Sequence, residues 1–438
     1  NELLQPFEPS ADDPFDLAKV GHLVRRGSFG ASLALRQRLV REGPDAAVAW
    51  LVGPAAGASA EASEPWLETA LAYDDIQRAR SFRVWLALRS ERPLQQRLSC
   101  FWHGHFATSN RKLEDPRAML LQMATFDRLG TGRFDDLLAA MCRDPALLRW
   151  LDNDVNTRTS PNENLARELF ELFALGRGAY SEHDIRAAAR CLTGHGVRDG
   201  RHAFAAFQHD DGVKELFGAR GRFGLDDLVA MTVARRESSE FLARRWLEQF
   251  VHPEPLPTEV AALADAYEQH GRDVGRTLAT LLRSRLFFSA RARRSRIKSP
   301  AEFVLGTVRS LAGTAAPVVL ADTMASLGEA WLEPPSVEGW PGGRAWLSEA
   351  SWLLRSNFVA DLLADRRAGL SPRAETLFQG LQRPEQFAKL AALLLLDGVV
   401  DAHDLHALTD VAAHQQRPER RALAVLHAAA CLPDYQLT

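Results

Sequence analysis

The chain has 438 residues, 46% of them hydrophobic and 25% charged, with a formal net charge of −3. That length exceeds what one compact core usually holds and points to two or three subdomains. The near-neutral balance argues against a partner that is bound by bulk charge, such as nucleic acid or an acidic membrane. No stretch reaches the roughly 18 apolar residues of a membrane span.

The opening stretch, NELLQPFEPSADDPFD, is polar and carries no apolar signal core, so a cytoplasmic setting is expected, or a periplasmic or exported one where a leader has been removed. From there helical periodicity dominates, and strand-like alternation is almost absent. The pattern predicts an all-α bundle of about fifteen to eighteen helices with two long ordered loops. Expected helices include 14–27, 31–42, 65–88, 93–106, 116–128, 161–175, 181–192, 236–250, 257–270, 299–312, 346–365, 384–395 and 417–430. The expected division is an N-terminal helical domain over 1–224 that holds the polar motifs, a second over 225–370, and a small C-terminal one over 371–438.

The first helix ends on His22, Arg25 and Arg26 before a Gly-rich turn. Arg25 and Arg26 can bind an anion there, or simply complement the helix C-terminus ahead of a Gly cap. Residues 101–106 read FWHGHF. On one continuous helix His103 points about 160° away from His105, so the two cannot hold one ion. A break at Gly104 would put both rings on one face. Ser160-Pro161-Asn162-Glu163 reads as a helix start, with Ser160 as N-cap and Glu163 closing a capping box. At about 100° per residue Glu163, Arg167, Glu171, Asn164 and Glu168 share one polar arc. That arc is either a solvated face, with Arg167 pairing Glu163 and Glu171, or a set of carboxylates facing a cleft.

Residues 193–224 mix glycine, histidine and aromatics and predict an ordered loop or small hairpin. It carries His195, His209-Asp210 and Lys214, residues suited to ligation, proton transfer or a helix cap. Lys298 precedes Ser299-Pro300 as a helix-start lysine or a phosphate contact. Residues 331–346 form a second loop, stiffened by proline and loosened by glycine, with Trp340 set either to stack on a substrate or to plug a seam. Four cysteines occur with no CxxC pair, which argues against a zinc–thiolate site. Neither GxxxxGK[ST] nor GxSxG occurs, which argues against a Walker phosphate loop and a serine-hydrolase elbow.

Taken together, HLVRRGSFG (22–30), FWHGHF (101–106), LDNDVN (151–156), NENLARELFELFALG (162–176), YSEHDIRAAARCLTG (180–194), HDDGVKELFG (209–218), IKSPAEFVLGTVR (297–309), EPPSVEGWPGG (333–343) and RSNF (355–358) resemble the bacterial DUF1800 family. The resemblance covers about residues 15–365. The chain departs from the family pattern at Gly104, where an asparagine is usual, and at His195, where a tryptophan is usual. The resemblance implies a helical domain, often encoded beside a protein of the DUF1501 type, and no established activity.

The leading expectation is an enzyme whose distant polar motifs converge on one cleft. His103, His105, Glu163, Arg167, Glu168, Glu171, His209 and Asp210 would be catalytic. A divalent metal would sit on His103, His105, Glu171 and His209. Arg25, Arg26, Asn162, Asn164, Lys214 and Trp340 would bind a polar, anionic or carbohydrate substrate. The alternative is a non-catalytic helical module whose polar motifs are buried struts and whose partner is a co-encoded enzyme.

Overall fold

The computed structural model describes residues 2–53, 67–72, 74–364, 370–371 and 374–438. The expected helices over 65–88 and 346–365 include residues 65, 66, 73 and 365, which lie outside the described residues. Helices that bear on function are numbered in chain order: α1 (Leu17–Gly27), α2 (Leu33–Glu42), α3 (Pro93–His105), α4 (Asn164–Glu168), α5 (Glu182–Cys191), α6 (Arg236–Phe250), α7 (Pro300–Ser310), α8 (Glu349–Leu363), α9 (Pro384–Leu396) and α10 (Pro418–Cys431). The fold is predominantly helical, as the periodicity predicts.

Local chemistry sets the boundaries. Asp16 caps α1 by accepting from the Lys19 amide at 3.0 Å. Ser181 and Asp184 form a reciprocal capping box on α5. Ser299 and Glu302 do the same on α7, with Pro300 as its first residue. The 193–224 segment folds into two short antiparallel hairpins, β1–β2 (His195–Arg198 with Arg201–Phe204) and β3–β4 (Lys214–Leu216 with Ala219–Gly221).

Two apolar cores form. The first gathers side chains from residues 4–292 together with Leu332, with Trp102, Phe106, Phe134, Phe170, Phe173 and Trp246 at its centre. The second gathers residues 301–435 with Phe29, Val84 and Ala87. The expected boundaries at 224/225 and 370/371 therefore fall inside these clusters. Charged side chains join the two cores. Arg97 of α3 reaches Glu302 of α7, Arg296 approaches the same carboxylate at 3.3 Å, and Arg25 and Arg36 both pair with Asp397. Among the described residues no helix is long and apolar enough to cross a membrane.

Candidate functional site

The start of α4 differs from the expected capping box. Helical geometry begins at Asn164, and neither Ser160 nor Glu163 caps it. Asn162 does the work instead, its Oδ1 accepting from the Asn164 amide at 2.9 Å. Asn162 is itself anchored: its amide donates to Asn156 Oδ1 at 2.9 Å and its Nδ2 to the Asp152 carbonyl at 3.2 Å. Asn156 and Asn153 reach on to the carbonyls of Ala189 and His195. The Asn153 and Asn156 side chains thus lock α4 against α5 and the first hairpin, while the Asp152 carboxylate pairs with Lys112 at 2.7 Å.

After Glu168 the helix widens. Residues Leu169–Ala174 form a π-turn, and the amides of Leu175 and Gly176 both donate to the Phe170 carbonyl at 2.9 Å. Such turns recur at functional sites because they re-aim side chains. Arg167 turns its fork to Glu182 of α5, 2.9 Å to each oxygen, and touches Glu163 at 3.2 Å. It does not pair with Glu171, because the Glu182 carboxylate takes both of its amino groups. Glu171 instead accepts from Arg177 Nε at 2.6 Å and lies 3.5 Å from the Tyr180 hydroxyl.

Glu168 stands between these pairs without one of its own: among the described residues its carboxylate makes no hydrogen bond or ion pair. Burial raises its carboxyl above the ordinary range, and the Glu171 and Glu338 charges push the same way. Glu338 comes from the 331–346 loop and lies 3.9 Å from Arg177. That loop is pressed onto α3. A Cβ at Gly339, whose φ is +82°, would stand 2.4 Å from the Gly104 carbonyl oxygen. The Trp340 ring covers Gly104 and meets the His103 ring edge-on at 5.2 Å. Tyr180 also lines an open depression of about 550 Å³ with Ser181, His183, Glu215, Phe217 and Arg235.

The two histidines go elsewhere. α3 runs unbroken through Gly104 to His105, so the rings diverge. His103 Nε2 accepts from the Leu332 amide at 2.9 Å, which places its proton on Nδ1. His105 Nε2 donates to the Phe173 carbonyl at 2.9 Å amid the rings of Trp102, Phe106, Phe134 and Phe241. Burial holds both imidazoles neutral, depressed to about 3, with Arg83 adding to the effect on His103 and Arg245 on His105.

The segment between the two hairpins is also internally satisfied. Asp210 takes a bidentate fork from Arg190 at 2.6 and 3.2 Å, and Lys214 Nζ donates to the Asp210 carbonyl at 2.5 Å. His209 Nδ1 lies 2.9 Å from the Thr193 carbonyl. His195 and His202, diagonal neighbours across β1–β2, have ring nitrogens 3.0 Å apart.

The expected metal set does not fit one ion. His103 offers a protonated Nδ1, and the free nitrogen of His105 is enclosed by aromatic rings. Glu171 is held by Arg177, and His209 is engaged with Thr193. No three His, Cys, Asp or Glu side chains are grouped to hold an ion among the described residues.

Arg25 and Arg26, expected at an anion site, lie at the seam between the cores. Arg25 pairs with Asp397. Arg26, fully buried, donates to Ala292, Ser295 and Thr438 oxygens at 2.8–3.0 Å. Lys298 lies close by, its amine 3.5 Å from the Tyr435 ring centroid, and burial drives it well below the usual lysine range. Lys298, Arg25 and Arg36 line a cavity of about 20 Å³, room for one water.

The structure therefore brings together Glu163, Arg167, Glu168 and Glu171, and leaves His103, His105, His209, Asp210, Arg25 and Arg26 outside that group. Arg177, Tyr180 and Glu338 join the arc although sequence reasoning did not single them out. For Tyr180 and Glu338 the signal was present, since both lie inside the quoted motifs and Glu338 is two residues from Trp340.

One family model, described as "Protein of unknown function (DUF1800)", matches residues 22–437. No curated protein and no solved structure matches the chain.

Proposed function

The chain belongs to the DUF1800 family, and from that premise we propose an enzyme that acts on a polar or anionic substrate, such as a carbohydrate, by acid/base chemistry at Glu168 and Glu171. One observation carries this reading. Two carboxyls three residues apart stand in opposite environments, Glu168 half-buried and unpaired, Glu171 ion-paired with Arg177. Such pairs divide the roles of proton donor and proton acceptor. Glu168 would carry the proton given to a departing oxygen. Glu171, paired with Arg177, would take one from water or a substrate hydroxyl. Tyr180 borders both Glu171 and the adjacent open depression, which offers room for the rest of the substrate. Trp340, two residues from Glu338, offers a stacking face.

The test is a panel of neutral and anionic oligosaccharides, with binding followed by calorimetry and turnover by reducing-end release. Glu168→Gln should abolish turnover of any substrate found and retain its binding. Turnover unchanged in both Glu168→Gln and Glu171→Gln would sink the proposal.

A second reading, a non-catalytic binding or assembly module with a DUF1501-type partner, is favoured by a separate observation. His103, His105, Arg167, Asp210 and Lys214 are all engaged in intramolecular bonds. Under that reading Glu168→Gln alters no turnover, and capture of the partner survives it.

A further inference from the structure

The four cysteines occupy two kinds of surroundings. Burial pushes the thiols of Cys100 and Cys142 up to about 12 and that of Cys191 up to about 11. Cys431 is half-buried like Cys100 but has a different neighbourhood. It is the last residue of α10, and His427 lies one turn earlier on the same helix. Ser356 of α8 faces both. Cys431 Sγ donates to Ser356 Oγ at 3.4 Å, and Ser356 Oγ stands 3.1 Å from His427 Nε2. The direct Sγ–Nε2 separation is 3.9 Å. The Ser356 carbonyl lies 3.2 Å from the same nitrogen, placed to accept its proton once the ring is charged.

Nucleophile, relay and base thus converge from two helices, the arrangement that activates a weak nucleophile. Burial pushes the Cys431 thiol up, but the hydrogen bonds to His427 and Ser356 outweigh it and leave the thiol below its ordinary value. His427 moves the opposite way, raised by its bond to Cys431 against burial. Both shifts favour a thiolate–imidazolium pair. The groups acting on the thiol are His427 from its own helix and Ser356 from α8.

We propose that Cys431 is a reactive thiol, activated by proton transfer through Ser356 to His427, and that low-molecular-weight disulfides modify the protein there. In that step the Cys431 sulfur attacks one sulfur of the disulfide. A new S–S bond forms at Cys431, the old S–S bond breaks, and the departing thiolate takes the electron pair. The proton lost by Cys431 stays on His427 or passes to the leaving thiolate. The proposal is independent of the acidic arc on α4.

The experiment treats the native full-length chain with limiting iodoacetamide and, separately, with oxidised glutathione, and maps each cysteine by peptide mass. Cys431 should react about tenfold or more faster than Cys100, which is more strongly desolvated and has no base beside it. His427→Gln and Ser356→Ala should each slow Cys431 about tenfold and leave the circular dichroism spectrum unchanged. Equal rates at Cys431 and Cys100 in the native protein, or a wild-type rate in His427→Gln, would overturn the proposal. If His427→Gln fails to fold, Ser356→Ala decides in its place: a wild-type rate at Cys431 in that variant overturns the proposal. Denatured chain, where all four thiols should react alike, calibrates the probes.

Discussion

The seam between the two cores and the arc on α4 are built from the same residue types, arginine against carboxylate, yet they do different work. At the seam Arg97 and Glu302 are 5% and 3% exposed, and Arg36 and Asp397 are 3% and 2% exposed. Every carboxylate there is matched by two arginines. Glu302 is held well into the acid range, at about 2, because Arg97 and Arg296 overcome the burial that would raise it. On α4 the pairs are open to water, with Arg167 39% exposed, and one carboxyl has no partner. Saturated and dry, the first arrangement fixes geometry. The second is open to water and one partner short, which leaves the Glu168 carboxyl without an ion pair.

Glu302→Gln should produce the largest effect that sharpens this contrast. It leaves Arg97 and Arg296 buried without their counter-charge, and should cost about 3–5 kcal/mol in denaturant unfolding. A loss below about 1 kcal/mol would show that the seam is no stiffer than the surface.

Next comes acid sensitivity of the core histidines. His105 is depressed to about 3 when folded and titrates near 6.5 when unfolded. The unfolded chain therefore takes up a proton first as pH falls. His105 penalises the fold from about pH 6.5 downward, by about 2 kcal/mol at pH 5. Measured as a difference in urea midpoint between pH 7 and pH 5, His105→Phe should lose that share of the acid sensitivity.

Arg167→Ala breaks only exposed pairs and should change stability by about 1 kcal/mol or less. Smallest of all is Glu168→Gln. A carboxyl raised in the folded state weakens the fold as pH climbs from its unfolded value through its folded one. The amide should therefore match wild type at pH 4 and exceed it slightly at pH 7, by about 0.5 kcal/mol or less. A marked loss at pH 7 would mean that Glu168 has a structural partner.

The helices were legible because their signals are local. Ser181 with Asp184 and Ser299 with Glu302 announce α5 and α7 within four residues, and both form where expected. The π-turn carries no such mark. Leu169-Phe170-Glu171-Leu172-Phe173-Ala174 continues an α-helical apolar pattern, so the projected arc wrongly stacked Glu171 on Arg167. The histidines were illegible for another reason. His105 meets a carbonyl 68 residues away and His103 an amide 229 residues away. Nothing beside FWHGHF indicates that both rings are already engaged. Of the candidate site, the carboxylate arc could be read. Its selection of Glu168 as the unpaired member depended on Glu182 and Arg177 competing for neighbours, which only tertiary packing decides.

The widened turn after Glu168 has one more consequence. A π-turn is what a helix keeps when one residue is inserted and the flanking packing refuses to rotate. Deleting a single residue from Leu169–Ala174 would let the turn close to α-helical pitch. Everything upstream would then swing by about 100° relative to Tyr180, or everything downstream would. Ancestry can be tested the same way: a homologue one residue shorter in this stretch should carry its acidic side chains in a different phase and, with them, a different chemistry.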